Sequence, residues 1–345
     1  MGKVLVLFQA RGSDERISLR EGIAFAAEKV GLASTFIDYR QGLTESSFLD
    51  LMRGALRQEV THLLVFAVPT GFEEQILVAV EELGSSKPKV ITYVGDGFGP
   101  GAKKLETSAW KLLGASDVCF LTSMGVFGDQ VKRNGAGHVG WLPHVVEDPV
   151  VPSSLTRIQD QIAVVANAYP TRRVGSHLWR VRRGRLKAVK DLKSLWPGPV
   201  EVHGAGWGSK YGCNGALAFG DDYLAYARSG WCFEPPPGSK VEGYHSDRPF
   251  RAASQGALLI TQQVSGVDAL FEHGRELWFY EDLPALAREV AMGLDMSESR
   301  RRLQERMASA SPAARWRYAL EVAILGREVR PTFLVRPLAR HKYWI

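Results

Sequence analysis

The chain runs to 345 residues, 45% of them apolar and 23% charged, with a net charge of +6. Those fractions are ordinary for a soluble globular protein, and the length suffices for two α/β domains with separate cores. Three scattered cysteines, Cys119, Cys213 and Cys232, form no disulfide or metal-ligand pattern and point to a reducing compartment. The early apolar run 4–8 is too short for a signal peptide, and no run is long enough to span a membrane. A cytoplasmic protein without a membrane span is expected, and its positive charge suits an acidic partner: a nucleotide, a nucleic acid or an anionic surface.

Residues 1–145 alternate strand with helix. Apolar runs at 3–9, 34–38, 62–68, 89–94, 117–122 and 139–142 read as strands, and helical patterns at 18–30, 45–57, 73–83 and 102–113 separate the first five. This alternation implies parallel pairing in a doubly wound sheet, whose ligands sit beyond the strand C-termini. Two loops there stand out: 10–16 (ARGSDER) after the first strand and 95–101 (GDGFGPG) after the fourth. Neither is a Gly-x-Gly-x-x-Gly fingerprint at the first turn, which argues against an ordinary dinucleotide-dependent dehydrogenase. Glycines in the second loop let the backbone approach a ligand, and Asp96 stands where a strand-end carboxylate would meet an acceptor hydroxyl. Asp96 is the first candidate for a general base and Asp14 the second; the competing reading of each is a turn or helix cap.

Three prolines within 143–152 mark an interdomain linker. A strand at 161–166 follows, then a basic helix from His177 to Trp196. Leu178, Val181, Leu186, Val189, Leu192 and Trp196 form an apolar stripe at helical spacing. Arg180, Arg182, Arg183, Arg185, Lys187, Lys190 and Lys193 cover the rest, as a solvated face or a track for a phosphate backbone. Next come a strand with a glycine-rich end at 201–208, a helix at 221–227, a strand at 231–233 and a proline-stiffened loop at 234–240. In 244–282 a polar loop with His245, Ser246, Asp247 and Arg248 feeds a helix starting near Pro249 and ending at Gly256. A strand at 257–261, a loop and a second short strand complete the segment. A helix N-terminus flanked by polar residues favours an anion, and Arg248 makes the arrangement a diphosphate clamp. Helices at 283–293, 297–308 and 312–326 and a basic tail close the chain.

Arg248, Phe250, Ala252, Gly256, Phe271, Gly274, Glu276, Leu277, Tyr280 and Asp282 also carry a family pattern. The segment resembles the C-terminal signature of GT-B glycosyltransferases, in the group-1-like family that includes the spore maturation protein CgeB. The resemblance implies an α/β fold of two Rossmann-like domains facing across a cleft, with C-terminal helices packing back on the first. Residues 1–146 would form the acceptor domain, 147–310 the nucleotide-sugar donor domain, and 311–345 the returning helix and tail. It further implies donor contacts from Arg172 and Arg173, from Gly204, Gly206 and Trp207 beneath the nucleotide, and from Tyr244, His245, Ser246, Asp247 and Arg248. Arg251 is a departure, because the family carries there a Glu that holds the nucleotide ribose.

The implied enzyme is a glycosyltransferase (a hexosyltransferase) using a nucleotide sugar, expected to be a UDP-sugar, as co-substrate without a cofactor. The chain lacks an Asp-x-Asp with supporting ligands, and Asp221 and Asp222 are adjacent at a helix start, so metal-independent transfer is expected. With Asp96 as base the reaction would be a single displacement with inversion. Retaining GT-B enzymes often carry two glutamates eight positions apart, here Gly243 and Arg251, which also favours inversion. Size, charge and an Asp after the fourth strand followed closely by Pro100 are similar in layout to phage DNA β-glucosyltransferases. That similarity points to a hydroxymethylated base in DNA as acceptor, bound through the basic surface 172–193. Two alternatives stand beside it: transfer to a surface glycan, lipid or small metabolite, and a non-catalytic GT-B module that binds nucleotide or nucleic acid.

Overall fold

The structure is a computed structural model that describes residues 2–8, 17–39, 42–66, 68–98, 104–144, 155–169, 173–218, 221–236, 241–264, 266–309 and 312–325. Its first part contains β1 (Gly2–Phe8), α1 (Ile17–Lys29), β2 (Leu32–Asp38), α2 (Glu45–Leu56), β3 (Val60–Phe66), α3 (Glu73–Glu81), β4 (Lys89–Val94), α4 (Thr107–Gly114), β5 (Val118–Leu121), α5 (Val126–Arg133) and β6 (His138–Trp141). The six strands form one sheet in the order β2-β1-β3-β4-β5-β6, with every pairing parallel. Val4, Leu5, Val6 and Leu7 are wholly buried. A continuous apolar run of this kind belongs to a strand covered on both faces by helices. α5 is the one element here that the sequence pattern leaves out. Its two turns bury only Phe127, Gly128 and Val131, too short a run to show a period.

The second part contains β7 (Ile158–Val165), α6 (His177–Leu195), β8 (Val200–His203), α7 (Asp221–Arg228), β9 (Ser229–Phe233), α8 (Arg248–Ser254), β10 (Leu258–Thr261), α9 (Val267–Leu270), β11 (Leu277–Phe279), α10 (Leu283–Ala291), α11 (Ser297–Ser309) and α12 (Pro312–Leu325). Its strands make a second parallel sheet in the order β11-β10-β9-β7-β8. Strand order reverses between β7 and β9, so the loops after these two strands splay apart and open a crevice there. The two parallel sheets with their covering helices bear out the expected architecture.

α10 packs on α6 and α11 on α8, so both stay with the second sheet, and α12 alone among the described helices crosses back. α12 sets Trp316 edge-on against Phe66 and Tyr93, with ring centroids 5.6 and 5.4 Å apart, and Tyr318 against Phe120 at 6.2 Å. Its Arg315 is buried, donates to the carbonyls of Pro143 and His144, and lies 4.9 Å over the Phe250 ring. One expectation, about α6, needs correction. Leu178 is 46% exposed and Arg185 only 3%, the reverse of the sequence reading. Arg185 continues the inward spacing of Val181, Val189, Leu192 and Trp196, while Leu178 lies in the first turn. Of the expected linker 143–152, residues 145–152 lie outside the described ones.

Candidate active site

The crevice of the second sheet is built by the chain leaving β7 and β9. After β7, Asn167 accepts from Ala205 N through Oδ1 at 2.8 Å, which ties the glycine loop after β8 to the floor. Gly204 allows this approach: its φ is +127°, and a Cβ there would collide with the Ala166 carbonyl oxygen. Trp207 is 2% exposed and donates its indole N–H to Ala166 O at 2.5 Å. It fills the core under the loop, so a role as an open platform for a base is not what the geometry offers.

Arg185 reaches into the same crevice from α6. It donates to Asn167 O and to Pro236 O, at 2.5 and 3.1 Å, and its guanidinium lies 4.9 Å over the Tyr169 ring. One buried cation thus joins the loop after β7 to the loop after β9. Burial pulls its pKa down, and the nearby Arg248 charge adds to the effect.

At the end of β9, Glu234 is 3% exposed and gathers side chains from three segments. Its carboxylate accepts from Ser246 Oγ at 2.6 Å and from Thr261 Oγ1 at 2.9 Å. His245 Nδ1 stands 4.0 Å away and Arg248 Nη2 3.9 Å away. Its backbone carbonyl accepts from the Tyr280 hydroxyl. Burial would push the Glu234 acid up, but His245, Arg248 and Ser246 together outweigh it and hold the carboxyl down at about 2. His245 Nε2 and Arg248 Nε are buried without a hydrogen-bond partner. α8 has only seven residues and Asp247 makes no side-chain cap, so positive charge comes from side chains far more than from a helix dipole.

Arg251, at the position of the family's ribose-holding Glu, is held by two carboxylates. It is 4% exposed, with Nη1 3.1 Å from Asp222 Oδ2 and Nε 3.1 Å from Asp247 Oδ2. Asp222, which reads from sequence as a helix start, is therefore the buried partner of Arg251. Burial raises its carboxyl, and Arg251 only partly compensates. Asp247 goes the other way: burial would raise it, but Arg251, His144 and Arg248 lower it.

The strand ends of the first sheet meet this motif directly. Trp141 Nε1 donates to Gly243 O at 3.2 Å, and Met124 N to Glu242 O at 2.7 Å. After β4, Thr122 and Ser123 each donate a hydroxyl to the Asp96 carbonyl at 3.3 Å. The next residue, Gly97, lies so close to Tyr244 that a Cβ would come within 2.9 Å of its ring. Burial and the Asp96 charge both push the Tyr244 phenol up. His144, 6.0 Å from Tyr244 by ring centroids, is pulled down by burial although Asp247 and Asp96 oppose this. Asp96, Tyr244, Asp247 and Arg248 are thus brought together from loops some 150 positions apart. Arg173 is exposed just before α6, where its carbonyl accepts from Ser176 Oγ at 2.8 Å. Asp14 and Arg172 lie outside the described residues.

Residues 180–321 match the family model described as glycosyl transferase-like. Most of the chain superposes on solved glycosyltransferases. One is AviGT4, involved in avilamycin A biosynthesis: 13% identity, TM-score 0.52, covering 94% of this chain and 97% of that one. The chain has the GT-B glycosyltransferase fold. An alpha-glucosyltransferase in complex with UDP and a 13-mer DNA with a central A:G mismatch shares this GT-B fold. It has 10% identity and TM-score 0.58, covering 94% of this chain and 99% of that one. A UDP-forming trehalose-phosphate synthase from Burkholderia xenovorans does so at 12% identity and TM-score 0.57, with coverage of 94% and 99%. No curated protein matches the chain. The GT-B fold expected from the sequence is borne out.

Glu234, Arg185 and Asp222 escaped the sequence reading. Glu234 and Arg185 each left a signal. A lone acid directly after a buried strand, at a point where strand order reverses, is a site position in any doubly wound sheet. Arg185 breaks an otherwise apolar inward spacing.

Proposed function

We propose that this GT-B protein moves a sugar from a UDP-sugar to an acceptor hydroxyl, with a hydroxymethylated base of DNA as the acceptor. The observation that carries the reading is the meeting of the Asp96 loop with the cationic motif around Arg248. In this scheme 1–146 is the acceptor half, 147–310 the donor half and 311–345 the returning segment. Arg248, with Arg173, faces the diphosphate, the sequence assigns Arg172 the same role, and Gly204 and Gly206 leave room for the nucleotide.

The acceptor oxygen attacks the anomeric carbon as Asp96 takes its proton. The bond from that carbon to the diphosphate oxygen breaks, and its electron pair stays on the phosphate. Side-chain cations in a water-poor crevice stabilise that charge, so the scheme uses no metal ion. Attack from the face opposite the leaving group inverts the anomeric centre. UDP in two of the solved neighbours and DNA in one support the donor and acceptor classes. The exposed basic residues of α6 supply charge for DNA.

The test is a panel of nucleotide sugars offered with hydroxymethylated DNA, plain DNA and small hydroxyl acceptors, each product's anomer being determined. Asp96→Asn is expected to cut transfer at least ~100-fold while UDP binding persists. Full activity in that variant removes Asp96 as base. Transfer only to small acceptors would favour the metabolite reading, to which the trehalose-phosphate synthase and AviGT4 neighbours lend support. UDP binding without turnover on any acceptor would leave a binding module.

A further inference from the structure

Glu234 is a fully buried carboxylate that the transfer scheme does not use. It ends β9 at the reversal of strand order, and its backbone N–H still pairs with Ile260 O at 2.9 Å, so its position is fixed by the sheet. One carboxylate oxygen is taken by Ser246 and the other by Thr261. Both hydroxyls donate, which leaves the carboxylate's charge facing His245 Nδ1 at 4.0 Å and Arg248 at 3.9 Å. The ring's other nitrogen, Nε2, is buried and has no partner. A buried imidazole nitrogen without a partner has lost its water and gained nothing in return, so the arrangement fits a site completed by a ligand.

We propose that His245 donates Nε2–H to a diphosphate oxygen of the nucleotide-sugar donor, and that Glu234 is the positioning residue that holds the ring and its proton for that hydrogen bond. This rests on the donor-site reading above. The carboxylate stands 4.0 Å from Nδ1, on the side of the ring away from Nε2. A diphosphate oxygen at Nε2 then favours the doubly protonated ring, because an anion on either side stabilises the cation between them. Ser246 ties the loop carrying His245 to the same carboxylate. Charged and titratable groups surround the Glu234 carboxylate: His245 and Arg248 from the segment before α8, Arg185 from α6, and Tyr280 from the turn after β11. During transfer His245 shares charge with the departing phosphate oxygen, while the acceptor's proton leaves through the separate base.

The test is UDP binding by calorimetry to the full chain, in paired buffers of different ionisation heat, between pH 6 and 8.5. Wild type is expected to take up protons on binding UDP and to lose affinity as pH rises, because the ring gives up the proton it donates. His245→Gln should bind UDP at least 10-fold more weakly, with affinity flat across that range and no comparable proton uptake. Glu234→Gln should still bind UDP. Removing the anion beside the imidazole destabilises the charged ring, so its affinity should fall at a lower pH than in wild type. Thermal midpoints of both variants separate misfolding from loss of the hydrogen bond. Unchanged proton uptake and pH dependence in His245→Gln would overturn the proposal. Wild type that binds no nucleoside diphosphate (UDP, GDP and ADP tested) would instead overturn the donor-site reading beneath it.

Discussion

Arg251 and Glu234 show what a single buried charge demands of its surroundings. Arg251 is pinned between Asp222 and Asp247, and its side chain is 5% exposed against 12% for that of Asp222. Removing the cation leaves Asp222 buried without compensation, a loss of about 3–5 kcal/mol. Arg251→Ala should therefore lower urea-denaturation stability by that amount, and adding Asp222→Asn should recover a large part of it. Glu234 predicts a pH dependence. Its folded pKa, about 2, lies below the ordinary 4.5. The carboxylate thus contributes stability above about pH 4.5 that is lost as pH falls toward 2, at most about 3 kcal/mol at ~1.4 kcal/mol per unit. Glu234→Gln should flatten denaturation midpoints over that window; an unchanged acid limb would show that Glu234 does not drive it.

Among the elements, the strap 241–244 and helix α6 matter most for function. The strap lies across the strand ends of the first sheet, and Gly97 is the point of closest approach to its Tyr244 ring. Gly97→Ala is expected to cost about 1–3 kcal/mol by overpacking and to lower transfer more than UDP binding, because it displaces the meeting of the two halves. On α6, Arg180, Arg183, Lys187 and Lys190 are exposed at spacings that keep them on one side of the helix. They span about 15 Å, the rise of ten helical residues. Reversing all four should make DNA affinity less salt-dependent, its log–log slope falling by roughly 0.9 for each phosphate no longer neutralised. DNA binding that is indifferent to salt in the wild type would remove DNA as acceptor.

The molecule as a whole is closed by α12. Trp316, wholly buried between Phe66 and Tyr93, anchors the returning helix on the first sheet, while Arg315 joins it to His144 and Phe250. Trp316→Ala should cost about 3–5 kcal/mol, read as a lower thermal midpoint. Detaching the helix from the sheet would also loosen the junction with the donor half. UDP affinity should then fall along with stability, an outcome not expected of a core residue in α2.

Strand and helix periods, glycine-rich strand ends and the motif at 244–282 were enough to determine two doubly wound sheets in a GT-B fold. Local patterns repeat along the chain, and each apolar run must be covered on both faces wherever it sits. Asp96 and Arg248 could be named because strand ends carry ligands in any such sheet. The partners of buried charges were decided only in three dimensions. Arg251 against Asp222, Arg185 beneath two loops and Glu234 beside His245 are pairings across 11 to 51 positions. Each side chain read singly looks like an ordinary surface charge. Burial and the absence of water select the partner, and burial is a property of the packed molecule that no local pattern contains.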